Sequence, residues 1–326
     1  MRWRNHGLIF RLNEHSFGDN EYCFAQSPQV LIFDQKIRVY FSTRTLCANS
    51  KYFSTIKFVE FGKSFDNLLR VSYHQIIPNG ELGTFDEHGI FPMHVHRIGN
   101  CIYGYTCGWS RRSSVDIDMA IGLVKSVDEG MTFSRLGLGP ILGPTLHEPC
   151  MIGDPFVLSN NGIFHMWYIF GSEWKFYPGS SKPERIYKIA HALSLNGLHW
   201  IKPDEGKSII STKLGDDECQ ALPSIHYFLG RYNMVFCYRY ASNFRSDPTR
   251  GYRLGYAYSY DLINWSRDDY ALNLPPSKDG WDTNMQCYPH LFSWKGEVYL
   301  LYNGNNFGKD GFGLCQLEFP SLSEKS

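Results

Sequence analysis

The sequence predicts an all-β chain folded as a five-bladed β-propeller, each blade a four-stranded antiparallel sheet. Three observations predict it: five evenly spaced copies of one pattern, four strand-like runs per copy, and no long amphipathic helical stretch. The copies begin QSPQVLIFDQKIRVYFSTR, GIFPMHVHRIGNCIYGYTCGW, GDPFVLSNNGIFHMWYIFG, ALPSIHYFLGRYNMVFCYR and CYPHLFSWKGEVYLLYNGN. Each holds a proline, a short apolar run, a turn, and a second run rich in β-branched and aromatic residues. The prolines are Pro28, Pro92, Pro155, Pro223 and Pro289, spaced by 64, 63, 68 and 66 residues. Blades are therefore expected to start near 28, 92, 155, 223 and 289 of one domain spanning residues 1–326.

A third strand follows in each copy: STIKFVEFG, MAIGLVKS, YKIAHALS, YRLGYAYS and GFGLCQLEF. Three copies then turn through Ser126–Phe133, Ser194–Trp200 and Ser259–Trp265. Asp, Asn and Gly favour tight turns, and the closing aromatic packs the outer strand back onto its blade. The Ser126–Phe133 turn resembles the aspartate box of sialidases, but the topology puts it on the rim away from the site, so its role is structural. The fifth copy ends after its third strand at Glu318. Residues Gly7–Leu12 are expected to supply the missing outer strand and close the ring, leaving no exposed edge.

Composition narrows the function. The 32 Lys and Arg balance 32 Asp and Glu, so no long-range field gathers nucleic acid or an anionic membrane. No apolar run is long enough to cross a bilayer, and MRWRNHGLIFRLNEHS lacks the apolar core of a signal peptide. Nine cysteines, none in a C-x-x-C pair, read as free thiols in a reducing cytoplasm, with no metal site and no cofactor. The 16% aromatic content suits β-structure and supplies flat faces for sugar rings.

In a propeller blade the first strand starts and the second ends at the same rim. Every copy has an acid near the start of its first strand: Glu21, Asp86 with Glu87, Glu148 with Asp154, Asp216 to Glu218, and Asp282. Near the ends of the second strands lie Arg44, Trp109 to Arg112, Glu173 with Trp174, Arg239, and Asn303 to Asn306. Five inner strands converge on one axis, so these residues are expected to crowd a single pocket. Asp86, Asp154, Glu218 and Asp282 would meet there with Arg44, Arg111 and Arg239. Trp109 and Trp174 are candidate sugar platforms, and Glu87, His88, His290, Asn303 and Asn305 candidate substrate contacts.

Gly153-Asp154-Pro155 in the third copy and Glu218-Cys219 in the fourth carry a resemblance. With the repeat, the chain resembles the five-bladed propeller superfamily of arabinanases, invertases, levansucrases and mannoside phosphorylases. The resemblance implies that Asp154 orients the sugar and that Glu218 donates the proton to the leaving oxygen. The superfamily's hydrolases also carry an aspartate at the start of blade one, as base or nucleophile. Here that stretch is Ala25-Gln26-Ser27-Pro28, with no carboxylate beside the proline.

Glycoside hydrolysis ordinarily needs two carboxylates flanking the scissile bond. The departure at Ser27 therefore favours glycosyl transfer or phosphorolysis, in which phosphate or a sugar hydroxyl attacks. The expected partner is a sugar or sugar phosphate, and the rim arginines suit a phosphate-bearing reactant. Two alternatives stay open: a hydrolase whose base is displaced to Asp86 or Asp282, and a carbohydrate-binding propeller without catalysis.

Overall fold

A computed structural model describes residues 1–15, 17, 22–46, 51–278 and 280–319. Five antiparallel sheets follow one another round a ring. Blade one runs through Tyr22–Ile32, Ile37–Leu46, Tyr52–Phe61 and Leu68–Val71. Blade two comprises Ile90–Ile98, Cys101–Arg111, Ile117–Ser126 and Ser134–Arg135. Blade three has Ile152–Asn160, Ile163–Lys175 and Glu184–Ser194, its outer position held by an isolated bridge between Leu193 and Ile201. Blade four is Glu218–Phe228, Arg231–Tyr240, Arg253–Ser259 and Ser266–Arg267.

Blade five contributes Cys287–Trp294, Glu297–Asn303 and Phe312–Leu317, and the N-terminal segment adds its outer strand antiparallel to the last. That closing strand is Trp3–Phe10 rather than Gly7–Leu12, because Leu12 already belongs to a short 3-10 turn. The Trp3 indole fixes the earlier start by donating to the Leu272 carbonyl at 2.8 Å.

The repeated turns have the structural role their residues suggest. The Ser126 hydroxyl accepts from the amides of Asp128 and Gly130, and Ser194 and Ser259 do the same in their own blades. The Tyr40 hydroxyl reaches from blade one to the Gly130 carbonyl at 2.8 Å, and Tyr105 from blade two to Gly197 at 3.2 Å. Gly130 has φ +79, and any Cβ there would collide with the Tyr40 hydroxyl. These turns thus lock neighbouring blades together at the rim opposite the strand starts.

The repeat prolines mark a second device. In every innermost strand the pairing register slips at the proline: Gln26/Gln29, Ile90/Met93, Gly153/Phe156, Ala221/Ser224 and Cys287/His290. Proline lacks an N–H, so it is tolerated on a strand edge facing the axis and at a bulge. The residue before it is left-handed in four blades: Ser27 (φ 54), Asp154 (φ 50), Leu222 (φ 47) and Tyr288 (φ 56); in the fifth, Phe91-Pro92 is cis. Such backbone is rare for residues other than glycine and needs surrounding structure to hold it.

What holds it is a belt of polar groups just below the bulges. His94 of blade two contacts the Gln29 side chain of blade one at 3.1 Å and the Val157 carbonyl of blade three at 3.0 Å. Ser224 of blade four accepts from the Leu291 amide of blade five at 2.8 Å, and His290 of blade five accepts from the Val30 amide of blade one at 3.2 Å. Burial pushes the His290 imidazole down to about 3, the nearby His226 adding to the effect, and holds His94 well below the usual histidine range.

Both rings are therefore neutral in the fold but protonate in the unfolded chain below about pH 6.5. Because the unfolded state then binds the extra proton, stability falls as pH drops below 6.5, for His290 down to its folded value near 3. His290→Gln, which keeps an acceptor but cannot titrate, should flatten the decline in melting temperature between pH 6.5 and 4.5. The expected change is up to about 1.4 kcal/mol per pH unit. An unaltered slope would show that His290 does not carry this linkage.

Candidate active site

The bulges bring the residues before the prolines to the axis. Phe91 of blade two and Tyr288 of blade five, which are not neighbours in the ring, meet with centroids 5.5 Å apart. Of the five residues at this position (Ser27, Phe91, Asp154, Leu222 and Tyr288), Asp154 alone is acidic. Its carboxylate accepts the Leu222 amide of blade four at 3.3 Å. At 5% exposure, burial pushes its carboxyl up to about 7, while that hydrogen bond and the charge of Arg185 hold it back. A carboxyl of this kind is half protonated near neutrality and can give or take a proton.

Arg185 is the arginine whose charge acts on Asp154, and it in turn lowers Arg44 and Arg245. Arg44 lies over Phe24 at 5.3 Å and Phe91 at 5.9 Å, Arg185 over Trp174 at 6.0 Å, and Arg245 over Phe244 at 4.2 Å. Arg44 and Arg245 are each held below the usual arginine range, by desolvation first and by neighbouring charges, Arg185 among them. Mutual repulsion among arginines favours an anion between them. Phe307 completes the wall in a left-handed turn (Asn306 φ 55, Phe307 φ 59, Gly308 φ 79), its carbonyl held by the Gln26 side-chain amide at 2.6 Å. Its ring meets Phe244 and Tyr252 edge-on at 6.2 Å.

Asp86, Glu148, Glu218 and Asp282 each take partners from their own blade or the loops beside it, and Asp217 reaches Lys175 of blade three. Both oxygens of Asp86 are engaged, by Arg135 at 2.8 Å and by Thr84 at 3.1 Å. Glu218, fully buried, takes Arg267 at 2.6 Å, Gln220 at 2.9 Å, and the amides of Lys213 and Leu214. Asp282 takes the Ser277 amide and hydroxyl, Gln286, and the Tyr302 hydroxyl at 2.7 Å. Glu148 pairs with Lys202 and Tyr168. The acids before the prolines thus form a repeated anchor tying the start of each of these blades to its own strands and loops. Glu21 lies outside the described residues.

The remaining candidates divide. Trp174 packs against Arg185, and Arg44 lies over Phe91 at the axial mouth. Arg239 is buried beneath it, stacked 3.5 Å from the Phe244 centroid and donating to the carbonyls of Tyr240 and Ala241, so it props the loop that carries Arg245. His290 belongs to the belt. Asn303 bridges the Ser27 amide and the carbonyls of Ala25 and Gly311, and Asn305 holds the Asn284–Met285 turn. His88, Trp109 and Arg111 form a separate stack with Phe53 between blades one and two, with Glu87 at 3.9 Å from His88. Arg185, Arg245, Tyr252, Tyr288 and Phe307 are absent from the sequence reading. Tyr288 was findable, being the residue before a repeat proline.

Two further observations bear on the sequence reading. The eight described cysteines are all free, and Cys47 lies outside the described residues. Among those residues no helix is long and apolar enough to cross a membrane.

No family model matches the chain. It is 29% identical to two uncharacterized proteins from two strains of Mycobacterium tuberculosis, over 318 residues that cover 98% of this chain and all of theirs. Among solved structures it is similar to a glycoside hydrolase (TM-score 0.71, 16% identity, 97% of this chain and 94% of that one). It is also similar to a thermostable family-43 glycoside hydrolase (0.64, 14%, 93% and 92%). A β-1,2-mannobiose phosphorylase from Listeria innocua, bound to β-1,2-mannobiose, matches at 0.68 (12%, 98% and 97%). The chain has the five-bladed propeller fold of these carbohydrate-active enzymes.

The two kinds of carboxylate should separate in stability measurements. Glu218→Gln leaves the buried Arg267 without its full partner, and breaking such a pair costs about 3–5 kcal/mol. Asp154→Asn keeps an acceptor for Leu222 but removes a charge the fold resists. A carboxyl raised from 3.8 to about 7 contributes its full stability below pH 4, and that contribution is lost as pH rises to 7. The substitution should therefore raise the stability at pH 8 by on the order of 4 kcal/mol at most, seen as a higher melting temperature, with the gain vanishing near pH 4. Melting curves of both variants at the two pH values decide it; a destabilised Asp154→Asn at pH 8 would contradict the assignment.

Proposed function

We propose that the chain is a glycoside phosphorylase, or a glycosyl transferase using a phosphate-bearing reactant, with Asp154 as its proton donor. The observation that carries this reading is a single raised carboxyl before a repeat proline, with the charge of Arg185 acting on it and Ser27 where a hydrolase needs a second acid. In place of the sequence-based assignment, Glu218 becomes a structural anchor and Asp154 takes the donor's role.

The step balances with one protein acid. Phosphate, held by Arg44, Arg185 and Arg245, attacks the anomeric carbon while the glycosidic C–O bond breaks. Protonated Asp154 gives its proton to the leaving oxygen, directly or through a substrate hydroxyl. A freed sugar and a sugar 1-phosphate result, and the proton carried by the attacking hydrogen phosphate restores Asp154. The left-handed backbone at Asp154 is useful here, since it fixes the carboxyl before substrate arrives. Phe91, Tyr288 and Phe307 offer faces for the sugar rings.

Turnover of an oligosaccharide panel should require inorganic phosphate and yield sugar 1-phosphate. Asp154→Asn should lower it by about 10²- to 10⁴-fold, the usual contribution of a general acid. Because the protonated form is the donor, kcat/KM should fall as pH rises through about 7. Arg185→Gln should raise the KM for phosphate more than that for the sugar. Rapid phosphate-independent hydrolysis would overturn the reading in favour of water as the nucleophile.

A further inference from the structure

A cleft of about 870 Å³ lies not on the axis but between blades four and five at the same rim. That volume is within the roughly 300–1,000 Å³ common for ligand sites. The corresponding notch in blade two, beside Asp86 and Arg135, holds only 310 Å³. Three segments enlarge the cleft: the loop after Tyr240, the short helix Asp269–Leu272, and the residues leading into Cys287.

Its chemistry is that of an uncharged ligand. Lys213 pairs with Asp269 at 3.2 Å, and Asp269 also takes Arg267 at 3.0 Å. Arg253 donates to the carbonyls of Gly251 and Thr249. The charged groups of the cleft are thus satisfied by the protein. Left free are the Tyr270 ring, 90% exposed with Lys213 against it at 5.3 Å, and the exposed side-chain amide of Asn284. A flat ring beside an amide donor and acceptor suits a sugar: the ring covers a C–H face and the amide bonds hydroxyls.

The cleft also continues the axial site. Tyr252 lines it and meets Tyr288 at 5.7 Å and Phe307 at 6.2 Å, both part of the axial wall. We infer that this cleft binds the distal units of a neutral oligosaccharide whose terminal linkage sits at Asp154, making the protein selective for chains longer than a disaccharide. This inference rests on the carbohydrate reading of the axial site.

Calorimetric titration of the full-length Asp154→Asn protein tests it without requiring turnover. The probes are cellotetraose, mannotetraose and xylotetraose, their disaccharides, and tetragalacturonate as a charged control. At least one neutral tetrasaccharide should bind about tenfold more tightly than its own disaccharide, the scale of one good aromatic contact. Tyr270→Ala should erase that gain and leave disaccharide affinity unchanged, with a melting curve checking that this exposed substitution leaves the fold intact. Tetragalacturonate should show no gain. If disaccharides bind but length adds nothing, or the gain survives Tyr270→Ala combined with Asn284→Ala, the cleft inference fails alone. If no sugar of either length binds, the axial reading fails with it.

Discussion

The arrangement depends on how five innermost strands are joined round the axis. Near the axis a side-chain hydrogen bond spans each junction between neighbouring blades: Gln29 to His94, His94 to the Val157 carbonyl, the Leu222 amide to Asp154, the Leu291 amide to Ser224, and the Val30 amide to His290. Each contributes about 0.5–1.5 kcal/mol on its own. Together they fix the stagger of the blades and hold the left-handed residues before the prolines. Without that belt the axial side chains would have no defined geometry, and the arginines would have nothing to converge on.

One junction differs in kind. Four use neutral side chains, whereas the junction of blades three and four uses Asp154, which burial keeps near the midpoint of its titration. A neutral residue would serve the fold equally well at that place, as Ser224 and His290 do elsewhere. An acid there costs stability at neutral pH and gains a proton that is easily given. Glu218, by contrast, is surrounded by an arginine and three N–H donors, an environment that fits an anchor.

The fold was legible because the repeat expresses itself in residues with few conformational options. A proline at each bulge and a Ser–Asp or Ser–Asn turn in three blades recur at a near-constant interval, and propeller geometry follows from the number of copies. The acids were harder to read. Proximity to the proline in sequence placed Asp86, Glu218 and Asp282 at the axis, but strand alternation governs the outcome. Glu218 and Gln220 share one face of their strand and turn into the blade. Asp86 and Asp282 precede their strands, where a loop carries them to partners within the blade. Arg185 and Arg245 escaped notice because they come from a third-strand start and an irregular loop, positions the period does not mark.

The direct measurement is the titration of Asp154 itself. The chain can be labelled with carboxyl-¹³C aspartate and followed by NMR across pH, with Asp154→Asn identifying the resonance. The account predicts a midpoint near 7 for that one resonance. A midpoint near 4, the ordinary aspartate value, would leave the carboxyl ionised at neutral pH and contradict its role as proton donor.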